Sequence, residues 1–172
     1  MQKLPPLLVV FDLDETLIHS RSEALPERRP DFWWAGYAIY LRPHVHELLV
    51  ERFERGQVAI WTASDPDYAH PILERILRGP LTDLQHVVTR EDCVATDDPT
   101  VPLKPLQRLF DLGADPARTI VVDNSPGTFS SNPEHGISVL DYDGSTDDVE
   151  LLALGQRLSE LDAMADVRQT SR

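Results

Sequence analysis

An α/β fold built on a mainly parallel sheet is what this sequence predicts, and three observations predict it. Apolar runs at residues 7–11 (LLVVF), 57–61 (QVAIW) and 118–122 (RTIVV) are short, rich in β-branched or aromatic residues, and end in polar groups. Segments of helical periodicity separate them, and strands alternating with helices imply parallel pairing through crossover connections. Strands that read as continuous apolar runs are those buried on both faces, so helices should cover both sides of the sheet.

The first run leads into Asp12-Leu13-Asp14 and then Thr16. In open α/β sheets, ligands bind beyond the carboxyl ends of the strands, where the strand order reverses. Along an extended chain Asp12 and Asp14 would point the same way, because side chains alternate with a period of two. Carboxylates held close together repel unless a cation lies between them or one keeps its proton. Both remedies suit phosphoryl chemistry. An aspartate can attack phosphorus and split one displacement into two. Mg²⁺ held by one or two carboxylates and by the substrate phosphate can neutralise the developing charge. The second aspartate can protonate the leaving oxygen and later deprotonate the attacking water. A lone D-x-D is as readily a solvated turn, so the other strand ends decide.

In chain order, residues 20–36 are polar and proline-punctuated and suggest a flap over the strand ends, followed by a short strand at 37–41. Trp33 and Trp34 lie in that flap, where one should pin the loop to the core. A helix is expected over 44–55, with Val45, Leu48, Leu49 and Phe53 inward, Pro43 near its start and Gly56 ending it. His44 and His46 fall on different faces of it, which argues against a shared metal. Asp65-Pro66 starts the next helix, with Tyr68, Ile72, Leu73, Ile76 and Leu77 inward; Pro71 requires a late start or a kink. A strand over 86–89 leads through a polar loop to Lys104, just outside a helix that starts at Pro105 and is closed by Gly113. After the 118–122 strand come Asp123 and Asn124, then a strand at 137–140. A last helix is capped by Asp147 with Glu150 and carries Val149, Leu152 and Leu158 inward.

With 172 residues and 41% hydrophobic content, the chain suits one domain over residues 1–163, with a polar, frayed tail at 164–172. Twenty-nine acidic against sixteen basic residues give a net charge of −13, with no run of Lys or Arg, which excludes extensive nucleic-acid backbone binding. A single cysteine, Cys93, permits no internal disulfide and fits a cytoplasmic or other reducing compartment. Neither a signal peptide nor a membrane anchor is visible in MQKLPP.

Parallel topology would gather Asp12, Asp14, Thr62, Lys104, Asp123 and Asn124 at one edge of the sheet. The set supplies a nucleophile, an acid–base group, oxygen ligands for a metal, and a hydroxyl and a cation for phosphate oxygens. In this order DLDETL, WTAS, the isolated Lys104 and VVDNSP resemble the four motifs of haloacid dehalogenase-type phosphatases. Within that superfamily, DLDETLIHS, LRPHVHELL, TASDPDYAHPI and DNSP resemble the small RNA polymerase C-terminal-domain (NLI-interacting-factor-like) phosphatases. The resemblance implies a Rossmann-like core without a large cap domain. It implies that Asp12 is phosphorylated and binds Mg²⁺, and that Asp14 is the acid–base group and gives its carbonyl to the metal. It also implies that Thr62, the adjoining Ala63 and Lys104 bind phosphate, and that Asp123 and Asn124 complete the metal shell. Two positions depart from the family: Pro105 stands where an acidic residue is common, and Asp65 where the eukaryotic enzymes have an apolar residue that receives a substrate proline. The expected activity is Mg²⁺-dependent hydrolysis of phosphoserine or phosphothreonine in a protein or peptide. The alternatives are a nucleotide, a nucleic-acid 3′-phosphate end or a small metabolite as substrate, or a non-catalytic interaction module.

Overall fold

A computed structural model describes residues 4–170. The N-terminal Met1 to Lys3 and the last two residues of the expected tail lie outside the described residues. The elements in order are β1 (Leu8–Phe11), β2 (Ile18–Arg21), β3 (Phe32–Trp34), β4 (Tyr37–Leu41), α1 (Val45–Arg55), β5 (Gln57–Trp61), α2 (Pro66–Leu77), β6 (His86–Val88), α3 (Gln107–Asp111), β7 (Thr119–Asp123), β8 (Gly136–Ser138) and α4 (Glu150–Asp162), with short 3-10 turns between some of them.

Five strands form one sheet in the order β6-β5-β1-β7-β8, and all four pairings are parallel. β1 is the centre: the chain moves outward from it through β5 to β6, then returns to its other side as β7. The order therefore reverses beside β1, which places the end of that strand at the ligand-binding crevice of this architecture. The side chains of β1 alternate between two cores. Val9 and Phe11 join Leu48, Leu49, Ile72 and Leu158 on one face, whereas Leu8 and Val10 join Trp61, Leu106 and Phe129 on the other. All four residues of β1 are buried, each contributing roughly 1.5–3 kcal/mol, so the strand carrying the aspartates is anchored on both sides.

The flap expected over 20–36 is not irregular. It holds β3 and the second half of β2, which flank β4 in a three-stranded antiparallel sheet of order β2-β4-β3. Prolines and charges between short strands hid this sheet from a reading based on periodicity. Trp34 pins it to α2 as expected for one of the pair, and Trp33 is 51% exposed. Pro71 neither delays nor shortens α2, which runs through it. A proline lacks the N–H that would meet the carbonyl four residues back, here Asp67, and the Trp34 indole donates to that carbonyl instead at 3.3 Å.

Gly56 ends α1 as expected, at φ −156° and ψ −144°. A Cβ there would stand 2.4 Å from the Leu7 carbonyl oxygen, so close approach to the start of β1 is what demands glycine. Near the C-terminus the expectations shift. Asp148, not Asp147, accepts from the Glu150 amide. The inward face of α4 is Leu151, Leu154, Leu158 and Leu161, leaving Val149 and Leu152 exposed. The described start of the tail expected to fray from residue 164 is docked: Val167 is buried, and Arg118 donates to the carbonyls of Leu161, Asp162 and Met164.

Trp34→Phe should cost about 0.5–1 kcal/mol of stability by removing the indole N–H that donates to the Asp67 carbonyl. Adding Pro71→Ala should recover much of that loss, since an alanine at this position supplies the missing amide. Urea unfolding of the single and double variants measures the coupling, and additive losses would show that the carbonyl has no such role.

Candidate active site

Three parallel strands deliver the site. Asp12 follows β1 and stays in register through its amide, which donates to the Val122 carbonyl at 2.9 Å. Thr62 follows β5, and Asp123 ends β7. Lys104 arrives from a loop whose amide donates to the Thr128 carbonyl at 2.7 Å. The helix expected to start at Pro105 begins at Gln107 instead. This helix, α3, is only five residues long, and Lys104 is 1% exposed.

The ammonium of Lys104 lies between two carboxylates, 2.6 Å from Asp12 Oδ1 and 2.7 Å from Asp123 Oδ2. Burial pushes the Asp12 carboxyl up to about 7 against the opposing pull of Lys104, with Asp123 and Asp14 adding to the rise. Burial alone would lower the Lys104 ammonium, but Asp12 and Asp123 hold it above its ordinary value. One cation therefore serves a pocket with surplus negative charge.

The partners of the carboxylates fix their orientation. Asp123 accepts from the Ser125 amide at 2.8 Å and from the Thr128 hydroxyl at 2.8 Å. Thr16 Oγ1 lies 2.9 Å from Asp12 Oδ2 and 3.1 Å from Asn124 Oδ1, and its one proton serves either at a time. The Asn124 amide donates back to that hydroxyl at 3.2 Å, and Asn124 Nδ2 donates to Asp141 at 2.9 Å. The Thr16 carbonyl is in turn held by Arg42, which pairs with Asp148 through two bonds of 2.9 and 2.8 Å.

Asp14 occupies a neighbouring position with different partners. β1 ends at Phe11, and the chain turns at Glu15, whose φ of 60° is a left-handed value costly for a residue with a side chain. Asp14 accepts from Ser64 Oγ at 2.8 Å and from Tyr68 OH at 2.9 Å. Burial, then the Asp14 charge, raises the Tyr68 phenol, which keeps its proton and remains a donor. A cleft of about 500 Å³ opens beside Asp14, between the small sheet and the start of α2, and Ala63, Ser64, Tyr37, Tyr68 and Arg90 are among its lining residues.

Of the expected residues, Asp12, Lys104, Asp123 and Asn124 form one bonded cluster, with Asp14 adjacent. Thr62 is buried at the end of β5 and its Oγ1 accepts from the Ser64 amide at 3.0 Å, while the Ala63 carbonyl accepts from Arg90 Nε at 2.7 Å. Thr16, Ser64, Tyr68 and Thr128 were not among the candidates. Thr16 was visible as the last letter of DLDET, whereas Tyr68 carries the period of an apolar helix face and gives no sign of its hydroxyl's role.

Among the described residues, no three acidic, histidine or cysteine side chains converge as a ready-made metal cage. The donors present are nonetheless all oxygen and carry surplus negative charge. They fit a hard divalent ion of the Mg²⁺ type, which is commonly bound by one or two carboxylates, with water and substrate phosphate completing the shell.

The family model for NLI interacting factor-like phosphatases matches residues 7–168. A Dictyostelium discoideum protein named "Probable C-terminal domain small phosphatase" is 34% identical over 168 residues, covering 93% of this chain and 52% of that protein. This chain thus spans about half the length of that relative. Fission yeast Fcp1, an RNA polymerase II CTD phosphatase, superposes with a TM-score of 0.61 over 91% of this chain and 51% of its own, at 20% identity. A HAD-like hydrolase from Porphyromonas gingivalis superposes with a TM-score of 0.58 over 91% of this chain and 98% of its own, at 14% identity. Those two likenesses give the fold, which is that of the haloacid dehalogenase-type hydrolases. On the match over residues 7–168, the chain belongs to the NLI interacting factor-like phosphatase family.

Proposed function

We propose that this protein is a Mg²⁺-dependent phosphomonoester hydrolase acting on phosphoserine or phosphothreonine in a protein or peptide. The observation that carries the reading is Lys104, buried between Asp12 and Asp123 at the reversal point of a parallel sheet. Such a buried ammonium has three N–H groups and two carboxylate bonds, so one proton remains for a phosphate oxygen.

In the first step an Asp12 carboxylate oxygen bonds to phosphorus, the bond to the ester oxygen breaks, and Asp14 supplies the proton that the leaving alkoxide takes. In the second step Asp14 accepts a proton from water, whose oxygen attacks the aspartyl-phosphate and releases phosphate and free Asp12. Lys104, with Thr62 and the backbone at Ala63, holds the non-bridging oxygens. Asp12, the Asp14 carbonyl, Asp123 and Asn124, some through water, would hold Mg²⁺, which when bound neutralises charge on the phosphoryl group.

A peptide is favoured over a small metabolite because the insertion after β1 is a three-stranded sheet, not a lid domain, and the 500 Å³ cleft beside Asp14 stays open. The relatives' names point the same way: the small phosphatases and Fcp1 are named for a protein substrate, the polymerase C-terminal domain. A reducing cellular compartment fits the single cysteine.

Phosphopeptides should turn over faster than nucleotides, 3′-phosphate ends or sugar phosphates in a mixed panel; preference for the small molecules would overturn the peptide assignment. Chelation should abolish activity and Mg²⁺ restore it, and turnover that survives thorough metal removal would contradict the metal role. Lys104→Ala should lower kcat/KM by about 10²–10³, the scale of one lost oxyanion donor.

Asp12→Asn should show no turnover. Its stability follows from the Asp12 carboxyl, raised from 3.8 to about 7 in the folded state. The native protein binds that proton more tightly than the unfolded chain, so raising the pH from about 4 to about 7 removes stability. Without divalent cations, Asp12→Asn should therefore melt a few degrees above wild type at pH 8, and the gap should close near pH 4. Calorimetry across that range reads the effect.

A further inference from the structure

The cleft beside Asp14 has an uneven charge. Its lining carries two carboxylates, Asp14 and Asp65, and one guanidinium, Arg90. Asp14 is engaged by Ser64 and Tyr68. Asp65 is not similarly engaged. It sits at the N-cap of α2 with the extended backbone of a capping residue, yet its carboxylate accepts from no helix amide. An aspartate in that place ordinarily caps the helix; here its side chain is 63% exposed, and the ion pair it makes with Arg90 Nε stands at 3.7 Å. That nitrogen is already hydrogen-bonded to the Ala63 carbonyl at 2.7 Å. Arg90 therefore compensates Asp65 only weakly.

Aromatic surface lies in the same cleft. Tyr37 is 43% exposed and meets Tyr68 edge to face, with ring centroids 6.0 Å apart. A long aliphatic stem can lie on such rings while its charged head reaches a carboxylate. We infer that Asp65 is a specificity-determining residue, which selects substrates with a lysine or arginine within two residues of the phosphorylated side chain. Tyr37 and Tyr68 would hold the stem of that side chain and Asp65 its head. This inference rests on the phosphopeptide reading above and names the sequence context that the site takes. A proline at that position would leave the carboxylate desolvated and unpaired, and an acidic residue would be repelled.

The test is a set of phosphoserine peptides that differ only in one flanking residue, with Lys, Ala, Pro or Glu placed at each of the two positions on either side. At one position, wild type should show kcat/KM about three- to tenfold higher for Lys than for Ala, and lower again for Glu. That advantage should shrink as salt rises from 0.05 to 0.5 M, as expected of a partly exposed ion pair. Asp65→Asn should bring the Lys:Ala ratio close to one, and Asp65→Lys should invert the Lys:Glu order. Each ratio is taken within one variant, so a general loss of activity does not mimic the effect. Failure of every peptide to turn over would sink the phosphopeptide reading and the inference with it. Turnover with no flanking preference, a preference for proline, or an unchanged ratio in Asp65→Asn would sink the inference alone.

Discussion

The buried contact between one lysine and two aspartates is the constraint on which the rest of the structure depends. Lys104 cannot leave water without compensation, and Asp12 and Asp123 repel each other unless a cation lies between them or one keeps its proton. The buried ammonium needs at least one of these carboxylates beside it, and the two carboxylates share its charge. The parallel sheet makes this possible: β1 and β7 are adjacent, so their ends deliver both carboxylates side by side, and the loop before α3 brings the ammonium. The compensation remains incomplete: burial first, then Asp123 and Asp14, raise the Asp12 carboxyl against the pull of Lys104. That surplus negative charge makes the pocket receptive to a further cation; on the function proposed above, a phosphoryl group brought with it would meet Asp12 as nucleophile and Lys104 as donor.

Around this centre the supporting side chains are bonded to one another in sequence. Arg42 joins the base of the small sheet to the segment before α4 through Asp148 and holds the Thr16 carbonyl. Thr16 in turn orders Asp12 and Asn124. The left-handed Glu15 is tied at both ends, its amide donating to Ile18 and its carbonyl accepting from Tyr142. A strained residue persists only where its surroundings over-determine it. Here the strain lies directly after Asp14, at the bend that carries this carboxylate toward β5 and α2.

Much of this was legible in the chain. Apolar runs ending in Asp12, Thr62 and Asp123 marked three central strands to within a residue, since burial on both faces leaves no polar position to confuse the pattern. Spacing showed α1 and α2 for the same reason: each has one apolar stripe against the sheet. What resisted reading was structure set by partners distant in sequence. β2 and β3 owe their form to pairing with β4 and read as a polar flap. The burial of Lys104 depends on carboxylates 92 and 19 residues away. At α4, Val149 and Leu152 have the right hydropathy, yet the packed stripe starts at Leu151. Tyr68 satisfies an apolar period with its ring while its hydroxyl serves Asp14, and composition cannot separate the two uses.

The proline inside α2 carries a consequence for how the molecule breathes. Because the helix cannot complete its own ladder at Pro71, its first turn borrows a donor from the small sheet, and Phe32 of the same strand lies under the Arg75 guanidinium two turns further on. Helix and sheet are thereby tied at two points, so local opening of either should loosen both. The two banks of the cleft would then part or close as a single event, and access to the crevice would be governed by helix and sheet together instead of by an independent gate.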